Sequence, residues 1–421
     1  MKSRLSRMWQ SLERCCADRK FVISALAIIF FVGLGLRAAL AWLHPMLLPD
    51  SIDYLALAHR ILHGQSYRVT GMYAKRMPGY PVFLAAVGLA GGLNIHLVLL
   101  IQAVFGALVS LVVFAISRPI GTAAGLLAAL LTAVDPLCVG FSAAVLTEIP
   151  FMLLFVLALW LLIQLLSQPG SAWRWILFSI CFATGVYVRA EVALCIFPLL
   201  GWLIWMNRRS PHLRHAVGGT IASLAILTLI LLPWWLRNYR LFHHDFFRFT
   251  TLQGISLYES VYSGATGGPR QSDIVRPPAI QNLPEGQRDA AWTRRAFADV
   301  FDHPFRMVRL GFVKIGRTWS PWLHARGYSR PWLNALLCVW YVPLFLLALA
   351  GLPILRTWRG PAGILLIGIL YFTAMHAVFL GSVRYRVPVM PLVCIFAAAA
   401  PAIWLGHKAS NFPVQNHPTT P

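Results

Sequence analysis

Residues 95–116 read IHLVLLIQAVFGALVSLVVFAI, a run that no acidic, lysine or arginine side chain interrupts. A helix of about 20 such residues crosses the hydrocarbon core of a bilayer. Similar runs recur along most of the 421-residue chain, in which 58% of the residues are hydrophobic and only 12% are charged. Because soluble domains usually carry about 25% charged residues, the composition indicates a membrane protein with no separate soluble domain of ordinary size.

Ten segments are predicted to span the membrane as an all-α bundle. They are 21–43, 95–116, 120–136, 147–166, 175–188, 192–206, 217–235, 332–353, 361–380 and 388–405. The first follows a basic N-terminus and lacks a small-residue cleavage site, so we expect a retained helix rather than a signal peptide. The apolar stretch 79–92 is predicted to lie in the outer interface or to dip into the membrane, because an eleventh span would put the later basic turns outside.

The basic residues indicate how this bundle is oriented. The formal net charge of +22 would point to nucleic acid in a soluble protein, but here lysine and arginine punctuate hydrophobic spans. We therefore expect no nucleic-acid partner. Short turns on one side carry basic residues and no acid, which predicts that this side and both termini are cytoplasmic. The expected location is a bacterial inner membrane, with the acid-bearing face in the periplasm.

The chain divides into three predicted parts. Residues 1–235 form a transmembrane module that includes a first outer loop, 44–94. Residues 236–330 form a large periplasmic loop, and 331–421 hold the C-terminal helices and a short cytoplasmic tail. The large loop carries fourteen Lys and Arg and seven acids. This basic surface either binds a phosphate or lipid headgroups, or only keeps the loop solvated. We expect it to pack over the first outer loop and help to cover the site, with Tyr258, Tyr262 and the glycine-rich segment 264–268 gating substrate access.

The first outer loop holds the main candidate for catalysis. Pro49-Asp50-Ser51 is a helix-start signal, and the apolar residues after it predict an interfacial amphipathic helix. Asp50 would lie at the start of that helix near the membrane surface, where it either caps the helix or acts as a base. Asp53 projects near the same face, three residues on, and either assists Asp50, binds a sugar hydroxyl or is solvated.

A second acid, Glu148, lies at the outer end of a strongly apolar span. An acid at membrane depth is costly and is therefore a functional candidate; the alternative is a first-turn glutamate that the helix dipole favours. Asp135-Pro136 and Arg189-Ala190-Glu191 show the same pattern more weakly. For the latter the alternative is that Arg189 and Glu191 only neutralise each other.

Basic residues at the outer boundary are candidates for binding a phosphate. Lys75 and Arg76 precede a Pro-Gly-Tyr-Pro turn and oppose the usual orientation bias, so they bind either a phosphate or lipid headgroups. Arg237, Arg384 and Arg386 stand beside aromatic residues at span ends. Aromatic residues are normal there, but forked guanidinium groups can also hold a lipid phosphate bidentately.

Together these motifs resemble the GT-C glycosyltransferases, the integral-membrane superfamily that includes protein O-mannosyltransferases and the bacterial aminoarabinose transferases for lipid A. The similar segments, in order, are Pro49-Asp50-Ser51 with Tyr54, Arg76-Met77-Pro78-Gly79-Tyr80-Pro81, Leu146-Thr147-Glu148, Pro233-Trp234-Trp235-Leu236-Arg237-Asn238 and Arg384-Tyr385-Arg386-Val387-Pro388. They cover nearly the whole membrane portion. The resemblance implies a GT-C-like bundle of about 10 transmembrane helices with outer interfacial helices.

The resemblance also implies a reaction. A sugar would pass, with inversion of the anomeric carbon, from a polyprenyl-phosphate donor to a hydroxyl or amine of an acceptor. The acceptor is unknown and is a lipid, a polysaccharide or a protein. Membrane lipids are the other expected partners. The candidate residues are Asp50, Glu148 and Asp53 for catalysis, Lys75, Arg76, Arg237, Arg384 and Arg386 for the donor phosphate, and Tyr54, Tyr80 and Tyr385 for the substrate. Many relatives show paired acids where this chain has Asp50-Ser51. No metal ligand and no cofactor is therefore assigned, and a divalent metal stays an open alternative.

The principal rival is a transporter or flippase of lipid-linked sugars. It would use the same basic outer surface, but it should carry polar residues at span centres, whereas this sequence concentrates them at span ends. A structural scaffold would leave the outer acids unexplained. No Walker or Rossmann glycine motif is present, so we expect no nucleotide fold.

Overall fold

A computed structural model describes residues 9, 11, 13–16, 18–242, 248–324 and 329–405. In chain order the α-helices are α1 (Arg19–Leu43), α2 (Pro49–Leu62), α3 (Gly79–Gly88), α4 (Ile95–Ser117), α5 (Thr122–Ala133), α6 (Pro136–Ser142), α7 (Glu148–Ser167), α8 (Ala172–Val188), α9 (Ile196–Asn207), α10 (Leu213–Leu241), α11 (Gln253–Val261), α12 (Pro278–Gln281), α13 (Glu285–Asp302), α14 (Pro304–Thr318), α15 (Pro331–Gly351), α16 (Arg359–Val378), α17 (Val383–Arg386) and α18 (Met390–Trp404). Short 3₁₀ helices lie at Arg118–Ile120, Ala190–Cys195, Gln271–Asp273, Leu352–Arg356 and Val387–Val389. The described ranges contain no β-strand longer than an isolated bridge, so the all-α prediction is confirmed.

The apolar helices account for the predicted spans. Within the described ranges, eight helical segments are long and apolar enough to cross a membrane, and α5 with α6 forms a ninth candidate that bends by 49°. The predicted span 120–136 corresponds to this bent pair, and 175–188 corresponds to α8, which has 17 residues. The chain is thus a multi-pass membrane protein with about the predicted number of helices. Its orientation stays a prediction.

The stretch 79–92 does not form a full span. Its helix α3 has 10 residues, which at 1.5 Å per residue is about half the hydrocarbon thickness. The first residue of α3 is Gly79, and a Cβ atom there would lie 2.6 Å from the backbone carbonyl carbon of Tyr187. Glycine therefore lets α3 begin in direct contact with the end of α8, and this contact holds the first outer loop against the bundle.

The core of the bundle surrounds α7 and α18. The apolar window is mostly buried in both spans, 67% for α7 and 83% for the segment Val383–Trp404 that ends in α18. A helix that is apolar on all sides loses least by being enclosed, which explains why these two are central. The helices α4 and α8 pack on α7, and α15 and α5 pack on α18. The N-terminal ends of α7 and α17 and the C-terminal ends of α8 and α16 meet at one end of the bundle.

The large loop covers that end, as the sequence predicted. The backbone N–H of Thr251 donates to Ala74 O at 2.9 Å. Glu285 accepts hydrogen bonds from the backbone N–H groups of Tyr73 and Ala74 at 2.6 and 2.9 Å. The predicted packing of the large loop over the first outer loop is therefore confirmed, because backbone amides of one loop are satisfied by the other.

Candidate functional site

A cavity of about 290 Å³ opens where these helix ends and the two loops meet. Its charged lining comes from segments far apart in the chain, namely Asp50, Lys75, Arg76, Arg189, Glu191 and Arg384. Tyr54, His376 and Tyr385 add aromatic surface, and the large loop contributes Thr250, Gln253 and Ser256. The volume suits the headgroup of a ligand rather than a whole lipid, since small-molecule sites start at roughly 300 Å³.

Asp50 lies in the first turn of α2 and is held by two arginines. Its Oδ1 accepts from Arg76 Nη2 at 2.5 Å, and its Oδ2 accepts from Arg384 Nη1 at 2.8 Å. Burial raises the pKa of Asp50, but the positive charges of Arg76 and Arg384 lower it by more, so the pKa lies below its ordinary value. The carboxyl is therefore ionised at neutral pH and can accept a proton.

The capping alternative for Asp50 does not hold in this arrangement. The side-chain oxygen at the start of α2 that bonds the backbone is that of Ser51, whose Oγ accepts from Leu48 N at 3.0 Å. Asp50 makes no capping hydrogen bond, because both of its oxygens face guanidinium groups. This carboxylate therefore serves the cavity rather than the helix.

Asp53 lies behind the cations of the first outer loop. Its Oδ1 accepts from Lys75 Nζ at 2.8 Å, and its Oδ2 accepts from Arg76 Nε at 3.1 Å and Nη2 at 2.9 Å. Asp53 is buried and does not line the cavity. Its position fits a residue that orients Arg76 and Lys75 better than one that meets a substrate.

Glu148, at the start of α7, is also behind the cavity wall and fully buried. Its Oε1 accepts a short hydrogen bond from Arg384 Nε and lies 3.1 Å from Arg189 Nη1. Arg384 thus bridges two carboxylates, Glu148 through Nε and Asp50 through Nη1. This double contact fixes the plane of the guanidinium group at the cavity surface.

The fourth acid that lines or supports the site, Glu191, was assigned only weakly from the sequence. Its Oε1 accepts from Arg189 Nε at 2.9 Å and lies 2.7 Å from Arg189 Nη2, so the two residues pair as the simpler alternative expected. Both nevertheless line the cavity, and Arg189 continues to Glu148. The useful signal was their position at a span end, where charges are costly.

Sequence reasoning missed His376 altogether. It lies in the last turn of α16, is 4% exposed, and lines the cavity. Its ring stacks on Tyr385 with the ring centres 4.4 Å apart and the planes 5° from parallel. No motif surrounds this histidine; the only available signal was an ionisable residue inside an apolar helix.

The charges of the site balance. Four cations, Lys75, Arg76, Arg189 and Arg384, pair with the four acids Asp50, Asp53, Glu148 and Glu191. An anionic ligand would therefore compete with carboxylates for guanidinium groups that are already in place. Such charge-assisted and bidentate contacts are how arginine holds phosphate groups.

Two of the predicted tyrosines lie close together but have different surroundings. Tyr54 lines the cavity, with the guanidinium carbon of Arg76 5.3 Å from its ring centre. Tyr80 packs edge-on against Tyr54 at 5.0 Å, but it is fully buried and its hydroxyl donates to Gln102 Oε1 at 2.7 Å. Tyr80 therefore supports Tyr54 from behind and does not line the cavity.

Two of the predicted phosphate-binding arginines lie outside the cavity. Arg237 donates through Nη2 to the backbone carbonyls of Tyr67 and Tyr73 at 3.1 and 2.9 Å. Arg386 is buried and donates through Nη1 to the carbonyls of Thr318 and Ser320 at 2.9 and 2.5 Å. Both arginines link separate segments of the chain, and neither lines the cavity.

The carboxylates that the structure describes at this site are not arranged as a metal site. In the described part of the chain no three His, Cys, Asp or Glu residues are grouped as metal ligands. Both oxygens of Asp50 and one oxygen of Glu148 already accept from arginine. This donor set does not fit a divalent cation, which prefers several free oxygen ligands.

The gating segment of the large loop has only indirect contact with the cavity. Tyr258 packs on Trp292 and Tyr262, with ring centres 5.0 and 6.0 Å away. Gly267 O accepts from the backbone N–H of Gly381 at 2.8 Å, which joins the segment to the approach to α17. Its predicted role in gating stays a prediction.

Comparison with known proteins agrees with this fold. A family model described as dolichyl-phosphate-mannose-protein mannosyltransferase matches residues 75–235. The archaeal oligosaccharyltransferase AglB from Archaeoglobus fulgidus, solved in complex with an inhibitory peptide and a dolichol-phosphate, is similar with a TM-score of 0.55 and 15% sequence identity. That likeness covers 90% of this chain and 50% of the archaeal chain, so this chain spans about half the length of the protein it matches.

Other solved structures are similar with TM-scores below 0.5, which is too low to support a conclusion about the fold. They include the apo form of the Archaeoglobus fulgidus oligosaccharyltransferase, at 0.49 and 15% identity over 91% of this chain and 50% of that chain. ArnT from Cupriavidus metallidurans bound to undecaprenyl phosphate scores 0.41 at 15% identity, over 91% of this chain and 76% of that chain. No curated protein sequence matches this chain. The family match and the fold confirm the resemblance to the GT-C superfamily that the motifs indicated.

Proposed function

We propose, with this GT-C fold as the premise, that the chain is a glycosyltransferase that moves a sugar from a polyprenyl-phosphate donor to an acceptor. The observation that carries the proposal is Asp50, an ionised carboxylate held between Arg76 and Arg384 at the wall of the cavity. A base and two cations at one point are what this transfer requires. A likeness in fold to an oligosaccharyltransferase solved with a dolichol-phosphate supports the choice of donor class.

The transfer would break one bond and form another at the anomeric carbon of the sugar. An acceptor hydroxyl or amine attacks this carbon from the side opposite the phosphate, and its proton passes to a carboxylate oxygen of Asp50. The bond between the anomeric carbon and the phosphate oxygen breaks, and its electron pair leaves with polyprenyl phosphate. Arg76 and Arg384, with Lys75 beside them, stabilise the charge that grows on that phosphate.

Donor binding would also prepare the base. In the structure both oxygens of Asp50 are engaged by guanidinium groups, which holds its pKa low and makes it a weak base. A phosphate group competes for the same guanidinium groups. When Arg76 or Arg384 turns part of its hydrogen bonding to the phosphate, Asp50 loses compensating charge, its pKa rises, and it becomes a better acceptor for the proton.

The proposed location follows from the helix ends that form the cavity. The cavity lies between the start of α7, the end of α8, the end of α16 and the start of α17, the ends that the basic turns assign to the outer face. We propose a bacterial inner membrane with the cavity facing the periplasm, so that the isoprenoid tail of the donor remains in the bilayer. The transferred sugar is a hexose or a pentose, and the acceptor is a lipid, a polysaccharide or a protein.

The test is release of free polyprenyl phosphate. Purified protein in liposomes is supplied with labelled polyprenyl-phosphate sugars and with membrane extract of the source organism as acceptor. We expect wild-type protein to release polyprenyl phosphate, and Asp50→Asn to do so about 10²- to 10⁴-fold more slowly, because an amide cannot take the acceptor's proton. Its melting temperature is measured in parallel, because the change also removes the charge that pairs with Arg76 and Arg384.

The same change at an exposed acid of the large loop, Asp273→Asn, is the matched control and should leave the rate within about twofold. Movement of labelled donor across the bilayer without any free polyprenyl phosphate would favour the flippase alternative. Folded Asp50→Asn protein with near wild-type turnover would remove Asp50 from the mechanism.

A further inference from the structure

His376 is a buried polar group that has no side-chain hydrogen-bond partner among the described residues. It is 4% exposed, and in the described part of the chain neither Nδ1 nor Nε2 makes a hydrogen bond of good geometry, although the backbone of Leu380 lies near the ring. The nearest carboxylate oxygen, Glu191 Oε1, is 3.9 Å from Nε2. An unsatisfied buried polar group is destabilising, and most such groups in proteins have a partner. Because His376 lines the cavity, a ligand there is the natural partner.

Glu191 offers the complementary group beside it. Arg189 binds Oε1 twice, through Nε at 2.9 Å and Nη2 at 2.7 Å. Tyr371 donates a short hydrogen bond to the backbone carbonyl of Glu191, which fixes this segment against α16. The other carboxylate oxygen, Oε2, makes no hydrogen bond within the described ranges and remains available to accept one.

These two side chains suit neutral hydroxyl groups better than phosphate. A carboxylate repels an anion, whereas a hydroxyl can donate to a carboxylate oxygen and also bond an imidazole nitrogen, which donates or accepts according to its tautomer. Adjacent hydroxyls on a sugar ring present both functions together. The cation-rich part of the cavity, with Arg76 and Arg384, is the part that suits phosphate.

The two parts of the cavity are neighbours. Tyr385 follows Arg384 directly in the chain, and its ring stacks on His376. Arg189 also spans them, because it contacts Glu148, which is bonded to Arg384, and Glu191, which lies beside His376. A group joined covalently to a phosphate at Arg384 would therefore lie against this histidine.

We propose that Glu191, His376 and Tyr385 form the subsite for the transferred sugar, in which Glu191 and His376 bind its hydroxyl groups. The inference rests on the proposed function, and it assigns the substrate class of one part of the cavity. The subsite makes the enzyme favour a sugar-bearing polyprenyl phosphate over the bare polyprenyl phosphate that it releases, which limits product inhibition.

The experiment compares two kinds of probe on one protein. The dissociation constant is measured in liposomes for undecaprenyl phosphate and for undecaprenyl phosphate carrying glucose, mannose, galactose or arabinose. We expect wild-type protein to bind at least one sugar-bearing probe more tightly than the bare phosphate. His376→Phe keeps the ring that stacks on Tyr385 but removes both nitrogens, and it should reduce that ratio by about 5- to 20-fold, the effect of one or two hydrogen bonds.

Two further variants separate a binding role from a structural one. His376→Asn retains one donor and one acceptor and should keep part of the preference for the sugar-bearing probe. His212→Phe, the same change at a histidine that does not line the cavity, should leave both constants unchanged. Affinity for bare undecaprenyl phosphate should stay within about twofold in every variant, since the cations are untouched.

The outcomes distinguish the two proposals. If wild-type protein binds neither kind of probe, the proposed function fails, and the subsite fails with it. If it binds undecaprenyl phosphate but no attached sugar adds affinity, the subsite is wrong while the proposed function stands. The subsite is equally wrong if His376→Phe weakens both probes by the same factor or changes neither.

Discussion

Arg384 and Arg386 stand on either side of Tyr385 in one short motif, yet their surroundings differ completely. Arg384 bonds two carboxylates, Asp50 and Glu148, and its guanidinium group forms part of the cavity wall. Arg386 points the other way from the same short helix, donates to the backbone carbonyls of Thr318 and Ser320, and lies with its guanidinium carbon 4.5 Å from the ring centre of Tyr341.

The two arginines differ in whether a ligand can replace their hydrogen-bond partner. A carboxylate partner can be exchanged for the phosphate of a ligand, because both are anions of similar geometry. A backbone carbonyl cannot be released without leaving a buried polar group unsatisfied. Arg76 and Arg237 repeat the contrast, since Arg76 bonds Asp50 and Asp53 whereas Arg237 bonds the carbonyls of the first outer loop. Partner type therefore separates arginines that serve the site from arginines that hold the fold.

Among the arginines, the largest effect is expected at Arg384. Arg384→Met keeps the length of the side chain but removes its charge and its donors, so the departing phosphate loses one of its cations. We expect turnover to fall about 10²- to 10³-fold, the usual loss for one group that stabilises developing negative charge. Affinity for undecaprenyl phosphate should fall with it. The measurements are the rate of polyprenyl phosphate release and the dissociation constant.

Arg384→Lys serves as its control, because it keeps a charge that cannot reach Asp50 and Glu148 together. We expect an intermediate loss. Wild-type turnover in Arg384→Met would contradict the distinction between the two arginines, because Arg384 would then be as dispensable for the reaction as Arg386.

The matching substitution two residues on should act on stability instead. Arg386→Met leaves the carbonyls of Thr318 and Ser320 without their donor. We expect the free energy of unfolding to fall by about 1–3 kcal/mol, the cost of unsatisfied buried groups. Denaturation in mixed detergent micelles measures it. Below the melting temperature, the variant should bind undecaprenyl phosphate as tightly as wild-type protein does. A selective loss of that affinity would show that Arg386 takes part in binding the phosphate.

A stability effect that is confined to high pH is expected at Glu259, an acid whose hydrogen-bond partner is backbone, like those of Arg386. Its side chain is 4% exposed and accepts from Arg270 N at 2.5 Å. Burial raises the pKa of Glu259 to about 7. Because the folded-state pKa is raised, the protonated form is favoured in the native protein. Its contribution to stability is complete below about pH 4.5 and is lost as the pH rises through about 7.

Glu259→Gln keeps an oxygen for Arg270 N but cannot ionise. We expect the variant and wild-type protein to melt alike at pH 5 and the variant to be more stable at pH 8, by roughly 1–3 kcal/mol. Melting curves across this range measure the difference, and turnover should not change. Identical melting of the two proteins at both pH values would show that the carboxyl is ionised without penalty.

The sequence by itself determined the bundle and the main acids of the site. Span lengths and the helix start at Pro49 are local properties, because hydrophobic length and turn chemistry depend on neighbouring residues. From the sequence, the stretch 79–92 could be excluded as a membrane span only by counting charges on the turns. Its helix of 10 residues is too short to cross the membrane, which agrees with that prediction. Asp50 and Glu148 stood out because carboxylates at the ends of apolar spans are costly.

Only the tertiary structure decided which charges meet. Asp50 and Arg384 are 334 residues apart in the chain, and no local pattern records such a contact. Arg237, Arg384 and Arg386 looked equivalent because each has aromatic neighbours in sequence, while their partners depend on the direction in which a helix end faces. No sequence motif surrounds His376, for the same reason. Its role depends on a cavity that exists only after separate helix ends have packed together, since packing, and not sequence spacing, fixes which side chains share a space.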